Sequence, residues 1–222
     1  MLDDRVVVVT GAATGAGRDV ARAAAARGAE VVLQYDPAPH GAAGPSDGRA
    51  ATTVTTDLTG AGAAEALIDR VLERHGRVDC LVNGAGLRYG RPVLRWSEDG
   101  RLVDVHAVSA RAASAAAVAA SATTLVHLVP LAAVLDAAGG VVREDGVLAH
   151  SASFVRDVPW LRSDCVAASD WTGGRPAAAH SAWLGEVVVD LLRSGPGRRT
   201  GQVLAPALGL RAGRATSSAV PA

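Results

Sequence analysis

A three-layer α/β/α domain built on a doubly wound parallel sheet is the fold class this sequence predicts. Three features predict it. Arg5-Val6-Val7-Val8-Val9 is a β-branched run of the kind that lies buried on both faces of a sheet. A glycine-rich octet, Thr10 to Gly17, follows at once and leads into a helical stretch reaching about Arg27. Strand and helix patterns then alternate through Val82, which implies βαβ crossovers and helices on both faces.

Each element has its own signal. Gly28 supplies the stop for the first helix. Glu30 to Gln34 reads as a second strand, and His40 to Gly48, rich in Gly, Ala, Pro and Ser, as a loop. Ala51 to Thr56 is a third strand, Gly62 to His75 a helix and Val78 to Val82 a fourth strand. Val105 to Ala138 reads as helical from its alanine content, with Pro130 able to kink or split it. Gly146 to His150 is expected to be a fifth strand. Pro176 to Arg193 is expected to be a helix carrying Trp183, Leu184, Val187, Val188, Leu191 and Leu192 on or near one face. Gln202 to Ala205 makes a last short strand. Residues 1–211 are expected to form one domain, shortened in its second half, and 212–222 a flexible tail.

Composition narrows the function classes. Acidic and basic residues number 22 each, and every basic one is arginine, for the 222-residue sequence contains no lysine. That balance argues against nucleic acid or a membrane surface as partner. Arginine without lysine points to a GC-rich, bacterial source. Cys80 and Cys165 make no disulfide framework, and no signal peptide is visible, so the expected compartment is the cytoplasm. No His or Cys spacing fits zinc, and no metal is expected.

Gly11, Gly15 and Gly17 let the backbone turn tightly, and the helix behind them can present free N–H groups and its positive dipole end to a pyrophosphate. The octet Thr10-Gly11-Ala12-Ala13-Thr14-Gly15-Ala16-Gly17 resembles the nucleotide-binding loop of the short-chain dehydrogenase/reductases, a Rossmann-like family. Asp57-Leu58 follows the third strand, where this family sets an aspartate against adenine. Leu81-Val82-Asn83-Gly84-Ala85-Gly86 resembles its Asn-Asn-Ala-Gly motif, with Gly84 replacing the second asparagine. Arg199-Thr200-Gly201-Gln202-Val203 is similar to the segment entering its last strand. The resemblance runs from Val6 to about Leu208 and is specific in the first 90 residues. It implies an NAD or NADP site built from Thr10, Gly11, Thr14, Gly15, Ala16, Gly17, Asp36, Asp57, Leu58, Asn83, Gly84 and Ala85. The family's NAD-type aspartate aligns with Tyr35, one place before Asp36. Asp36 can bind a ribose hydroxyl and repel a 2′-phosphate or cap a turn, and Arg18 matches a residue common in NADP-using members, so the expectation leans to NAD without excluding NADP.

The same resemblance exposes a gap. Family members use a serine, a Tyr-x-x-x-Lys pair and an asparagine to hold and protonate the substrate oxygen. Aligning Gly146 to Ser153 with the fifth strand sets Ser153 at the serine position, Val166 at the tyrosine and Asp170 at the lysine. Val166 has no proton to give, and Asp170 reverses the charge. Spacing gives His106 or Ser121 for the asparagine. The interval from Asp170 to Thr200 is too short for every expected element, so either a strand is lost or the chain ends early. His150, Ser151, Asp157, Asp164 and Cys165 lie in the same stretch, but no Gly-x-Ser-x-Gly elbow accompanies them. Phe154, Trp160, Leu161 and Trp171 can line a pocket or fill core.

Three functions follow from the resemblance. The first is a catalytically incomplete subunit of acyl or specialised metabolism, assembled as a homo- or hetero-oligomer with an active relative through the Ala-rich helices, Ala116 and Ala120 included. The second is an enzyme with substituted acid–base residues (Ser153, His106, Asp170) acting on a 3-oxo or 3-hydroxy acyl group, free or carrier-bound. The third is a regulatory module that senses nicotinamide nucleotide.

Overall fold

Val6–Val9, the first strand (β1), is fully buried, as its unbroken valine run requires. A computed structural model describes residues 1–13, 15–37, 52–88, 90–138, 140, 143–168, 178–194 and 200–205. Helix α1 (Gly15–Ala26) follows, then β2 (Glu30–Tyr35), β3 (Thr52–Thr55), α2 (Ala63–His75) and β4 (Cys80–Asn83). Two antiparallel hairpins come next, β5 (Leu87–Arg88) with β6 (Arg91–Pro92) and β7 (Leu94–Trp96) with β8 (Leu102–Asp104). The chain continues through α3 (Val105–Ala119), β9 (Thr124–Pro130), α4 (Leu131–Ala138), α5 (Val147–Asp157), β10 (Arg162–Ala168), α6 (Ala178–Arg193) and β11 (Val203–Leu204).

The main sheet has seven strands in the order β11-β10-β9-β4-β1-β2-β3, parallel throughout. Its order reverses between β1 and β4, the switch point at which open α/β sheets bind ligands. On one face Val7, Val9, Val126, Leu128 and Val166 meet Val20 and Ala24 of α1 and Leu184, Val188 and Leu192 of α6. On the other, Val6, Val8, Leu81 and Leu125 meet Leu67, Ile68 and Val71 of α2 and Ala113, Ala116 and Ala117 of α3. Two layers of helix thus bury the sheet on both sides.

The first half follows the sequence expectation closely, while the second half corrects it. Val105 to Ala138 is not one helix. Its middle, Thr124–Pro130, is a buried strand, and Pro130 leads directly into α4. The β-branched content of that run outweighs the alanines around it. Gly146 to His150 is not a strand. Gly146 precedes the first turn of α5, and five apolar-rich residues were too few to separate a strand from a buried helix. The sixth strand is not lost either. It is β10, and Val166, expected at the tyrosine position, lies fully buried inside it.

β10 looks too polar for a central strand, and pairing explains how it is buried. The Arg162 guanidinium donates to Asp164 at 2.5 Å with both side chains buried, and Asp164 also accepts the Gln202 N–H at 2.9 Å. Arg162 reaches the Ser194 carbonyl at 3.4 Å, beyond the end of α6. Each buried charge is therefore matched, as low-dielectric burial demands. The expected loop at His40 to Gly48 and the tail at 212–222 lie outside the described residues.

Candidate functional site

The C-terminal ends of β1, β2, β3 and β4 bring together most of the residues expected to hold a nucleotide. Thr10 ends β1, and its hydroxyl oxygen accepts the N–H groups of Gly84 at 3.1 Å and Ala85 at 3.2 Å. That fastens the glycine loop to the turn after β4. Gly11 adopts φ 66°, and a Cβ there would lie 2.5 Å from the Gly84 carbonyl oxygen. A Cβ on Gly17 would lie 2.5 Å from the Gly11 carbonyl oxygen. Both positions need glycine because backbone passes against backbone. Gly15 and Ala16 open α1, whose first turn carries no acidic residue. That helix end suits a negatively charged group. Thr14 lies outside the described residues.

The ends of β2 and β3 are crowded with charge. Gln34, buried at the end of β2, accepts the Gly11 N–H at 2.9 Å and donates to Asp36 at 3.1 Å. Desolvation raises the Asp36 carboxyl, with Asp57 adding repulsion and Arg95 and Arg88 opposing it. Asp57 behaves oppositely. Hydrogen bonds from Arg95 and Thr59 hold its carboxyl down at about 2. Leu58 turns inward and is buried against α2.

Asn83 ends β4 and faces inward. Its amide donates to the Ser114 hydroxyl at 2.9 Å and lies 3.2 Å from Nδ1 of His127. With the amide on Nδ1, the His127 proton sits on Nε2 and donates to Ser163 at 3.2 Å. Ser163 in turn pairs with Ser151 at 2.8 Å. A chain of polar groups thus runs from α3 through β4, β9 and β10 to α5. Burial pushes the His127 pKa down to about 3, with His150 and His106 adding repulsion. Sequence reasoning missed this chain, because its members are dispersed through the sequence and meet only when the strands pair.

The expected catalytic residues do not converge as the sequence alignment required. Ser153 is on α5, not at a strand end, and its hydroxyl donates to the His150 carbonyl at 2.8 Å. Asp170 lies outside the described residues. Ser121 is in the turn after α3 at φ 67°. Among the described candidates, His106 is the one that lies against the turn after β4. It sits in the first turn of α3, buried, with Nδ1 donating to the Ala85 carbonyl at 2.8 Å and Nε2 without a hydrogen-bond partner. Burial lowers its pKa and favours the neutral ring. His150, expected inside a strand, is on α5 in edge contact with His127 and Phe154. Cys165 is buried in β10, and burial pushes its thiol up to about 12, which disfavours the thiolate. Among the described residues no group of three His, Cys, Asp or Glu side chains is placed to hold a metal.

The chain at the end of β9 is apolar. Val129-Pro130-Leu131 runs straight from strand to helix, and Val129 and Val134 join the buried cluster with Val147 and Ala167. No hydroxyl or ionisable group appears between Val129 and Val134. Among the described residues, no helix is long and apolar enough to cross a membrane.

Comparison with known proteins agrees with this geometry. The family profile described as short chain dehydrogenase matches residues 5–132, more than half of the chain. The chain is 39% identical over 117 residues to a Drosophila melanogaster peroxisomal multifunctional enzyme type 2, covering 47% of this chain and 19% of that protein. It is 41% identical over 120 residues to a hexahydroindene-carboxyl-CoA reductase of Mycobacterium tuberculosis, covering 49% and 45%. The chain thus spans less than half the length of these curated relatives. A short chain dehydrogenase from Burkholderia cenocepacia, solved in complex with NADP, superposes with a TM-score of 0.66 at 20% identity, over 92% of this chain and 96% of that one.

Proposed function

The chain belongs to the short-chain dehydrogenase family, and from that premise we propose that it binds a nicotinamide dinucleotide without completing the family's catalytic centre. The pyrophosphate would lie at Gly11 to Gly17, the ribose near Asp36 and the adenine near Asp57. The reduced nicotinamide supplies a hydride when bound. What this chain adds is position, since a carbonyl substrate would need a proton at its oxygen as well as a hydride. The NADP held by the Burkholderia neighbour supports a dinucleotide. Asp36 favours NAD.

The observation that carries the reading is the absence of any lysine from the sequence, joined to the apolar end of β9. Tyr35 is buried on β2, across the switch point from β9, and Tyr89 lies outside the described residues. Gly15→Asp tests the nucleotide half. Gly15 opens α1 at φ 65°, and a carboxylate there would face the pyrophosphate. Calorimetric titration with NADH and NADPH should show binding to the wild type and none to the variant. Unchanged affinity would place the nucleotide elsewhere.

A catalytically incomplete chain gains a purpose beside an active one, and assembly with an intact relative is part of the proposal. The carboxyl-CoA substrate of the mycobacterial relative supports an acyl thioester as what such a complex acts on. Ala116 is not available for the contact, because it is buried against α2. Arg111, Ala115 and Ala119 are the exposed positions of α3. Purification from the native host should bring along a relative carrying the Tyr-x-x-x-Lys pair, and Ala115→Arg should reduce that yield. Elution of the wild-type chain alone would count against the partner.

A second reading rests on His106. A neutral ring whose Nε2 lacks a partner can relay a proton if substrate or water reaches it, which would make the chain an enzyme with a substituted relay.

A further inference from the structure

Strand alternation gives the β7–β8 hairpin two different faces. Trp96 stands opposite Leu102, and with Leu94 they leave a solvent-exposed apolar face. Arg95 points the other way and returns to the loop after β3. Its Nη1 donates to Oδ2 of Asp57 at 2.8 Å and its Nη2 to Oδ1 at 3.4 Å, while Nη2 also reaches the Thr59 hydroxyl. Thr59 adds its own backbone N–H at 2.9 Å and its hydroxyl at 2.7 Å, both to Oδ1.

A carboxylate offers about four lone-pair sites. Four donors of this chain already meet Asp57: Oδ1 takes two from Thr59 and one from Arg95, and Oδ2 takes the other Arg95 donor. An amino group arriving from outside finds Oδ1 crowded and reaches Oδ2 only beside the Arg95 guanidinium that already holds it. Thr59 is a sequence neighbour and its bonds belong to the turn. Arg95 comes from a two-stranded hairpin, on a long side chain that is half exposed. It is the donor that can leave.

We propose that Arg95 is a built-in competitor for the adenine end of the nucleotide site, occupying Asp57 until a bound dinucleotide displaces it and frees the hairpin from the loop after β3. This rests on the nucleotide reading above. An exposed arginine–carboxylate pair is worth little, so the competition is a modest tax on affinity rather than a block. Arg88 provides the comparison, since it is also a cation near Asp36 but makes no bond to Asp57.

NADH binding is measured by calorimetry on the full chain as wild type, Arg95→Ala, Arg95→Gln and Arg88→Ala. Arg95→Ala should bind NADH about fivefold more tightly, the equivalent of one exposed ion pair. Arg95→Gln should also bind more tightly, and Arg88→Ala should not. Circular dichroism confirms that each variant is folded, and Arg95→Gln, which keeps most of the side chain, stands in if the alanine variant is not. Wild-type binding with equal or weaker binding by both Arg95 variants overturns the competitor and leaves the nucleotide reading intact. No heat from any protein at millimolar NADH overturns both.

Discussion

Lowering the pH from 7.5 to 4.5 is expected to cost the fold roughly 3 kcal/mol through His127 alone. The sign follows from burial. In the unfolded chain a histidine titrates near 6.5, whereas the folded His127 resists protonation down to about 3. Between those values the unfolded state binds a proton that the folded state refuses. Stability is therefore fully present above about pH 6.5 and falls by about 1.4 kcal/mol for each pH unit below it. His150, lowered to about 4 by burial and by Arg111, acts in the same direction, as do His106 and His180. The buried Asp164 carboxyl, raised by desolvation, opposes them only where it begins to protonate.

Against a typical stability of about 5–15 kcal/mol this loss is large. Urea unfolding followed at several pH values would show it as a midpoint that drops on acidification. His127→Gln should flatten the dependence, because an uncharged amide removes the titrating group. A wild-type midpoint that stays level from pH 7.5 to 4.5 would mean that His127 is not held neutral in the fold.

The first half of the molecule could be read in the sequence because its signals are local. Val6 to Val9, the glycine octet and the strand ending at Asn83 each carry their own pattern. The second half hides its strands. β9 is enclosed by alanine-rich helices that share its small apolar residues. β10 carries Arg162, Ser163 and Asp164, which look like a surface segment until the pairing of Arg162 with Asp164 and the bond from Gln202 are seen. Reading Gly146 to His150 as the fifth strand, which is instead β9, set Ser153 and Val166 at site positions, whereas they lie on α5 and inside β10. The site shows the same division. Thr10, Gly11 and Asn83 were visible as a motif. The contact of Arg95 with Asp57 spans 38 positions and that of His127 with Asn83 spans 44, and no local pattern announces either.

The largest effect expected of this protein is a missing one. General acid–base groups typically contribute about 10²–10⁴-fold to a rate, and this chain has no lysine and no tyrosine on or beside β9 among the described residues. The aliphatic residues at the end of β9 cannot protonate a substrate oxygen. His106 is neutral and buried, with its Nδ1 bonded to the Ala85 carbonyl.

The most direct test is to follow NADH and NADPH absorbance while the isolated protein, at saturating nucleotide, is offered a 3-oxoacyl thioester. Consumption should be indistinguishable from the protein-free blank, with turnover appearing only when an intact relative is added. Robust turnover by the chain alone, persisting in His106→Ala and Ser153→Ala, would contradict both the incomplete-centre reading and the substituted relay.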